Sequence, residues 1–248
     1  MKGPFLVDHS DWEPSGAPSV AASLSEHPAV VLRGALPPSR CAELVTRVRA
    51  ARTEWTSDFD GEQFSLGRAF YTHYETDRSD RYFAEANASD ALVERVLPGI
   101  QTWTLELLGR MSGATIRRRA GFCGPGVHVF ERGGEVARRG GVTHYDVEGL
   151  TPLCLARRHT ALSLVVMLET PQWGGGLRLH DALYSGQEQP TQAELDSPHR
   201  TMRYADGDAL LMSSYRLHQI RPFRGLRDRI SITCHALAVD RGVLEAWF

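Results

Sequence analysis

Lysine is almost missing from this chain: Lys2 is the only one among 28 lysines and arginines. The bias points to a GC-rich bacterial coding sequence and carries no mechanism. No charge sign dominates, since 30 acidic residues leave a formal net charge of −2. The densest basic run, Arg117-Arg118-Arg119, is too short for a surface that tracks phosphates, so nucleic acid is not an expected partner. Cysteine is sparse. Cys41, Cys123, Cys154 and Cys234 show no Cys-x-x-Cys spacing, which predicts reduced, mostly buried thiols and no disulfide framework. Apolar runs break well before the roughly 18 residues a membrane-spanning helix needs. The first residues lack the apolar core of a secretory signal. The expected location is the cytoplasm, with no membrane partner.

What is present is enough apolar residue to bury a full core: 248 residues at 42% hydrophobic content, a size that predicts one domain. Residues 1–27, rich in Pro, Ser and Ala, predict an extended arm over the surface. Val30-Val31-Leu32 predicts a short strand, and Pro37-Pro38-Ser39 opens a helix through about Ala51, with Leu44, Val45 and Val48 at helical spacing. Ser89-Asp90 starts a second helix through about Met111, which Pro98 bends or breaks. Between them, residues 54–85 are aromatic, acidic and weakly periodic, fitting either a lid over a site or a structural cover. From about residue 115 the period falls to two. Strands are predicted near 115–120, 126–131, 142–147, 161–169, 176–181, 200–205, 208–213, 216–220 and 229–239, several separated by glycine turns. Residues 185–200 predict a mobile surface loop. Short strands after helices, without a βαβ rhythm, predict a mainly β fold with N-terminal helices and a double-stranded β-helix (jelly roll) core. Residues 1–114 would supply the arm, helices and aromatic segment, and 115–248 the β core.

The strongest chemical signal is His144-Tyr145-Asp146. In an extended chain, residues two apart share a face, so His144 and Asp146 can grip one ion while Tyr145 turns away. His218, from a distant strand, would complete two histidines and a carboxylate, a set that suits Fe(II) and leaves three cis positions open. Arg229 follows eleven residues later. In Arg229-Ile230-Ser231-Ile232-Thr233 the isoleucines form one face, while the arginine, serine and threonine form the other. That polar face offers a guanidinium to an anion, potentially bidentate, with the Ser231 hydroxyl beside it.

These segments resemble the Fe(II)/2-oxoglutarate-dependent oxygenases, in the branch of prolyl hydroxylases and small-molecule hydroxylases. His218-Gln-Ile-Arg-Pro222-Phe-Arg-Gly225 with Arg229-Ile-Ser231 is similar to the family's second histidine segment. Trp173-Gly174-Gly175-Gly176-Leu177 resembles its Gly-Gly-x-Leu hairpin, and Ala205-Asp206-Gly207-Asp208-Ala209-Leu210-Leu211 its pre-histidine strand. The resemblance covers about 115–240, with 28–50 similar to the usual entry into the fold. Two features depart. The arginine lies further from His218 than is typical, leaving Arg227 as a competitor. Phe130 stands where relatives often carry a tyrosine near 2-oxoglutarate.

The resemblance implies an enzyme, a dioxygenase with Fe(II) as its metal, 2-oxoglutarate and O2 as cosubstrates, and ascorbate as a stimulant. It implies His144, Asp146 and His218 as metal ligands, with Arg229 and Ser231 at the distal carboxylate of 2-oxoglutarate. Asp146 counts against the halogenase variant, in which a small residue replaces the carboxylate. The expected substrate is a small molecule, such as an amino acid or specialised-metabolite intermediate. A protein or peptide hydroxylase and a non-redox cupin-like binding module are the alternatives. Candidate substrate contacts are His128, Arg178, Tyr71, His73 and Tyr74. His180 and His235 sit on strand patterns and read as structural. Oligomeric state is not legible.

Overall fold

Alternation along one long strand sets the architecture. Ile230, Ile232, Cys234 and Ala236 pack into a core shared with helices, while Arg229, Ser231, Thr233 and His235 occupy the opposite face. The computed structural model describes residues 2–8, 20–187 and 189–248. Its first elements are β1 (Phe5–Asp8), β2 (Val30–Arg33), α1 (Pro38–Ala50), β3 (Thr56–Asp58), β4 (Gln63–Leu66), α2 (Phe70–Glu75), α3 (Ser79–Val96) and α4 (Ile100–Ser112). Then come β5 (Thr115–Arg118), β6 (Gly126–Phe130), α5 (Glu135–Arg139), α6 (Pro152–Arg157), β7 (Ala161–Glu169), β8 (Trp173–Gly174) and β9 (Leu177–Leu183). The chain ends with α7 (Gln192–Leu195), β10 (His199–Met202), β11 (Ala209–Ser213), β12 (Arg216–Ile220), β13 (Phe223–Arg224), β14 (Arg229–Asp240) and β15 (Val243–Trp247).

Among the described residues, ten strands form one sheet along the path β1-β2-β11-β7-β14-β6-β4-β3, with β15 and β5 branching from β14. A three-stranded sheet, β10-β9-β12, faces it, and β13 pairs with β8. Leu177, Leu179 and Met202 of the small sheet meet Val31, Leu210 and Met212 of the large one, so apolar side chains fill the space between them. The helices cover the large sheet's other face through Leu44, Val45 and Val48 of α1 and Leu107, Leu108 and Met111 of α4. No described helix is long and apolar enough to cross a membrane.

Several elements differ from expectation. The second helix starts at Ser79, ten residues early, because its buried stripe reaches back through Ala86 to Tyr82. Pro98 ends it outright, and Gly99, at φ 76°, turns the chain into α4. The 54–85 segment contributes β3 and β4 to the large sheet, then α2. In the expected arm, Phe5–Asp8 pairs parallel with β2, while residues 9–19 lie outside the described residues. The 185–200 loop contains α7, fixed by a capping box between Thr191 and Glu194; Glu188 within it also lies outside the described residues.

Gly126 faces the interior opposite Thr233, and a Cβ there would come within 2.2 Å of the Phe248 ring. We expect Gly126→Ala to cost about 1–3 kcal/mol by overpacking. Pairing it with Phe248→Leu should recover part of the loss. Thermal melts of the two single variants and the double variant measure this; additive losses would contradict it.

Candidate metal centre and anion pocket

The expected strand over 142–147 is a single bridge. His144 N donates to His218 O and His218 N to His144 O, both at 3.0 Å, and Asp146 N donates to Ser214 O at 3.0 Å. Before the bridge Gly141 N donates to Ile220 O at 2.9 Å, and after it the chain leaves in a turn closed by Leu150 N to Val147 O. Tyr145 turns away into a cluster with Tyr184, Tyr215 and Leu217.

Side chains converge where these backbones meet. Asp146 Oδ1 lies 3.4 Å from Nε2 of both His144 and His218, and the three potential ligand atoms all fall within 4.8 Å of one another. Each ring also directs Nδ1 at a backbone carbonyl: His144 to Val142 O and His218 to Arg216 O, both at 2.9 Å. A carbonyl only accepts, so both Nδ1 atoms carry protons and Nε2 is the nitrogen each ring turns towards Asp146, where a cation would bind. The His218 side chain is 6% exposed and that of His144 40%, leaving the centre open on the His144 side. Burial opposes the Asp146 charge, but the imidazoles of His218, His235 and His144 hold the carboxyl well below the usual range. For His144, burial opposes protonation, but Asp146 outweighs it and raises the pKa from 6.5 to about 9.

A second feature lies deeper on the same inner face. Arg229 is 3% exposed, and burial pushes its pKa down. Its Nε donates to Gly175 O at 3.3 Å and its Nη1 to Ser231 Oγ at 3.4 Å, with the Phe130 ring 5.5 Å from Cζ. Among the described residues no carboxylate reaches it. Several other arginines find acids: Arg227 pairs with Asp206, Arg33 with Asp208, and Arg49 with Glu169 and Asp228. The Tyr204 phenol sits beside the Arg229 guanidinium, its buried oxygen making no hydrogen bond of ordinary geometry.

The other candidates divide. His128 is opposite Ser231, inward-facing and 6% exposed, with Nδ1 unpartnered. Burial, followed by the charges of His235 and Arg229, pushes it down to about 3, so the ring is neutral. Tyr71 adjoins it, with ring centroids 5.7 Å apart and its hydroxyl on Gln63. Burial holds the Tyr71 phenol protonated, aided by Asp58, Glu75 and Asp146.

The remaining three residues of the expected substrate set are placed differently. His73 is fully buried, with Nδ1 bonded to Ala69 O at 2.9 Å. Tyr74 is 52% exposed and stacks on Phe70. Arg178 falls on the opposite face of β9 from Leu177 and Leu179, while His218 pairs with Leu179, so Arg178 points away from the centre. His235 requires the reverse correction, because its Nδ1 lies 3.8 Å from Asp146 Oδ2. Ser163, Ser214 and Tyr204 were also missed. A lone serine within the apolar run Ala161-Leu-Ser-Leu-Val-Val was the available signal for the first; Tyr204, in a loop, gave none.

Replacing His144, Asp146 or His218 with alanine should weaken Co(II) binding by more than the roughly 10–100-fold that outer-shell changes cost. Affinity should also rise with pH. A folded pKa raised from 6.5 to about 9 adds stability that is full below 6.5 and lost as pH climbs towards 9. The metal must displace that proton, so binding should strengthen by up to about tenfold per pH unit over the same window. Calorimetric titrations at several pH values check both; a flat pH profile would contradict the proton competition. His73→Ala should lower the melting temperature, with a cost on the order of 2 kcal/mol, whereas Tyr74→Ala should leave it nearly unchanged.

No family model matches this chain, and no curated protein matches it. Solved structures do. SnoN, a non-heme alpha-ketoglutarate-dependent epimerase from nogalamycin biosynthesis, aligns at TM-score 0.57 and 16% identity, over 88% of this chain and 83% of its own. An oxidoreductase of the 2OG-Fe(II) oxygenase family from Burkholderia pseudomallei aligns at 0.51 and 15%, over 94% and 93%. A prolyl hydroxylase from Trichoplax adhaerens, solved with a hypoxia inducible factor peptide fragment, aligns at 0.51 and 13%, over 87% and 86%. The chain therefore has the fold of the 2-oxoglutarate- and Fe(II)-dependent oxygenases.

Proposed function

We propose that this protein is an Fe(II)- and 2-oxoglutarate-dependent dioxygenase that hydroxylates an unactivated C–H bond of a small molecule. The observation that carries the reading is Arg229, a buried guanidinium without an acid, on the same inner face as the His144–Asp146–His218 group. A buried unpaired charge is costly unless a ligand completes it. The two facing sheets form the double-stranded β-helix core in this reading, and residues 1–248 act as one oxygenase domain.

The donor set fits the cofactors. Two imidazole nitrogens and one carboxylate oxygen suit Fe(II) and leave positions for the 1-carboxylate and 2-keto oxygens of 2-oxoglutarate and for O2. Arg229 would pair with the distal carboxylate, with Ser231 and the Tyr204 phenol adding hydroxyl donors. Tyr204 would then provide the donor that Phe130 lacks. When bound, iron and 2-oxoglutarate together supply oxidative decarboxylation to succinate and CO2 and the oxidising power for a C–H bond. The chain's own work is placement and exclusion of water. Neutral His128 and Tyr71, packed together beside the centre, are the residues we assign to the substrate.

With Fe(II), 2-oxoglutarate and ascorbate, we expect succinate to be released, which a non-redox binding module would not do. Arg229→Ala should raise the 2-oxoglutarate requirement by about 30- to several-thousand-fold, the loss of one buried charge-assisted pair of about 2–5 kcal/mol. Arg227→Ala, at a residue already paired with Asp206, should change it little. The opposite ordering would move the anchor to Arg227. Mass spectrometry of a metabolite panel should then find a product heavier by one oxygen. A product of unchanged mass and altered stereochemistry would instead favour an epimerase such as SnoN.

A further inference from the structure

The far side of the Asp146 carboxylate is as ordered as its metal-facing side. Oδ1 faces the two imidazoles, whereas Oδ2 receives the Ser163 hydroxyl at 2.6 Å. Ser163 Oγ lies in turn 2.9 Å from Ser214 Oγ and 3.2 Å from His235 Nδ1. These residues come from three places. Ser163 is on β7, His235 lies directly opposite it on β14, and Ser214 follows β11. Ser163 and Ser214 are 0% and 1% exposed, a setting in which an unbonded hydroxyl is costly. Ser214 also holds the Asp146 backbone, through its carbonyl oxygen.

Proton counting gives the network a direction. An ionised carboxylate only accepts, so the single Ser163 proton goes to Asp146 Oδ2. The two lone pairs of Ser163 are then left for the Ser214 hydroxyl proton and a proton on His235 Nδ1. Ser214 and His235 thus donate to Ser163, and Ser163 donates to Oδ2.

We infer that Ser163, Ser214 and His235 form a clamp that holds Asp146 to one metal-facing oxygen. This rests on the metal-centre reading above and adds a positioning role for three residues that touch no metal. A carboxylate free to turn can chelate through both oxygens and occupy a further coordination position. With Oδ2 engaged by Ser163, Asp146 offers Oδ1 alone, and the three open positions stay open. The buried Ser163 is thereby explained on a strand whose neighbouring residues Leu162, Leu164 and Val166 are apolar.

The test loads the full chain with Co(II) alone and follows binding by calorimetry and coordination by visible absorption. Ser163→Ala and His235→Phe should weaken Co(II) binding by about 10–100-fold and change the intensity of the Co(II) bands. His235→Asn, which returns an N–H near the Nδ1 position, should recover much of both. If Ser163→Ala disturbs folding, as circular dichroism would reveal, the His235→Phe and His235→Asn pair decides. Wild-type affinity and spectrum in Ser163→Ala and His235→Phe, while Asp146→Ala loses the metal, would overturn the clamp. Unchanged affinity in Asp146→Ala would overturn the metal centre beneath it.

Discussion

Two reciprocal hydrogen bonds between His144 and His218, each 3.0 Å, hold the rest of the site together. The chain between Gly140 and Leu150 belongs to no strand, and this bridge sets the register that Gly141 N to Ile220 O and Asp146 N to Ser214 O extend on either side. One bridge is enough because both rings are also tethered at Nδ1 to carbonyls two residues back. Each imidazole is thus held at its backbone and at its far nitrogen, with Nε2 turned towards Asp146. The centre needs no long strand; it needs one pair of residues held in register.

Electrostatics divides the interior into two regions with different needs. Around Asp146 a carboxylate oxygen and two imidazole nitrogens converge. Around Arg229 no acid offsets the guanidinium among the described residues, and the surroundings are a carbonyl, a serine hydroxyl, a phenol and an aromatic ring. One region suits a cation and the other an anion, side by side. Few small molecules other than a dicarboxylate with its own metal-binding end would satisfy both regions together.

The legible parts of the sequence were those where one residue type at one spacing has few physical uses. His144, Asp146 and His218 were readable because imidazoles and a carboxylate on converging faces seldom meet by accident, and the polar face of β14 because alternation fixes a strand's two sides. Ala161–Glu169 and Arg216–Ile220 fall as expected from their patterns. The 54–85 segment was illegible because its strands run only three and four residues, too few to establish a period. His235 was misjudged because a strand histidine is ambiguous until its opposite number, Ser163, is known. The side on which Arg178 falls was hidden for a related reason: its one-residue offset from Leu179 sends it to the other face of the small sheet.

The triple glycine after Trp173 answers to more than a turn. Gly174 adopts φ 80°, and a Cβ there would meet Pro222 O at 2.2 Å, while the Gly175 carbonyl takes the Arg229 Nε proton. A surface hairpin is ordinarily where a lineage drifts most freely. Here its backbone accepts from the buried Arg229, so a change at the tip would be felt deep inside. Trp173, 58% exposed on the same hairpin, carries no such burden. Adjacent positions on one short loop therefore tolerate a new side chain unequally: one at Gly174 meets Pro222 O, whereas Trp173 stands largely in solvent.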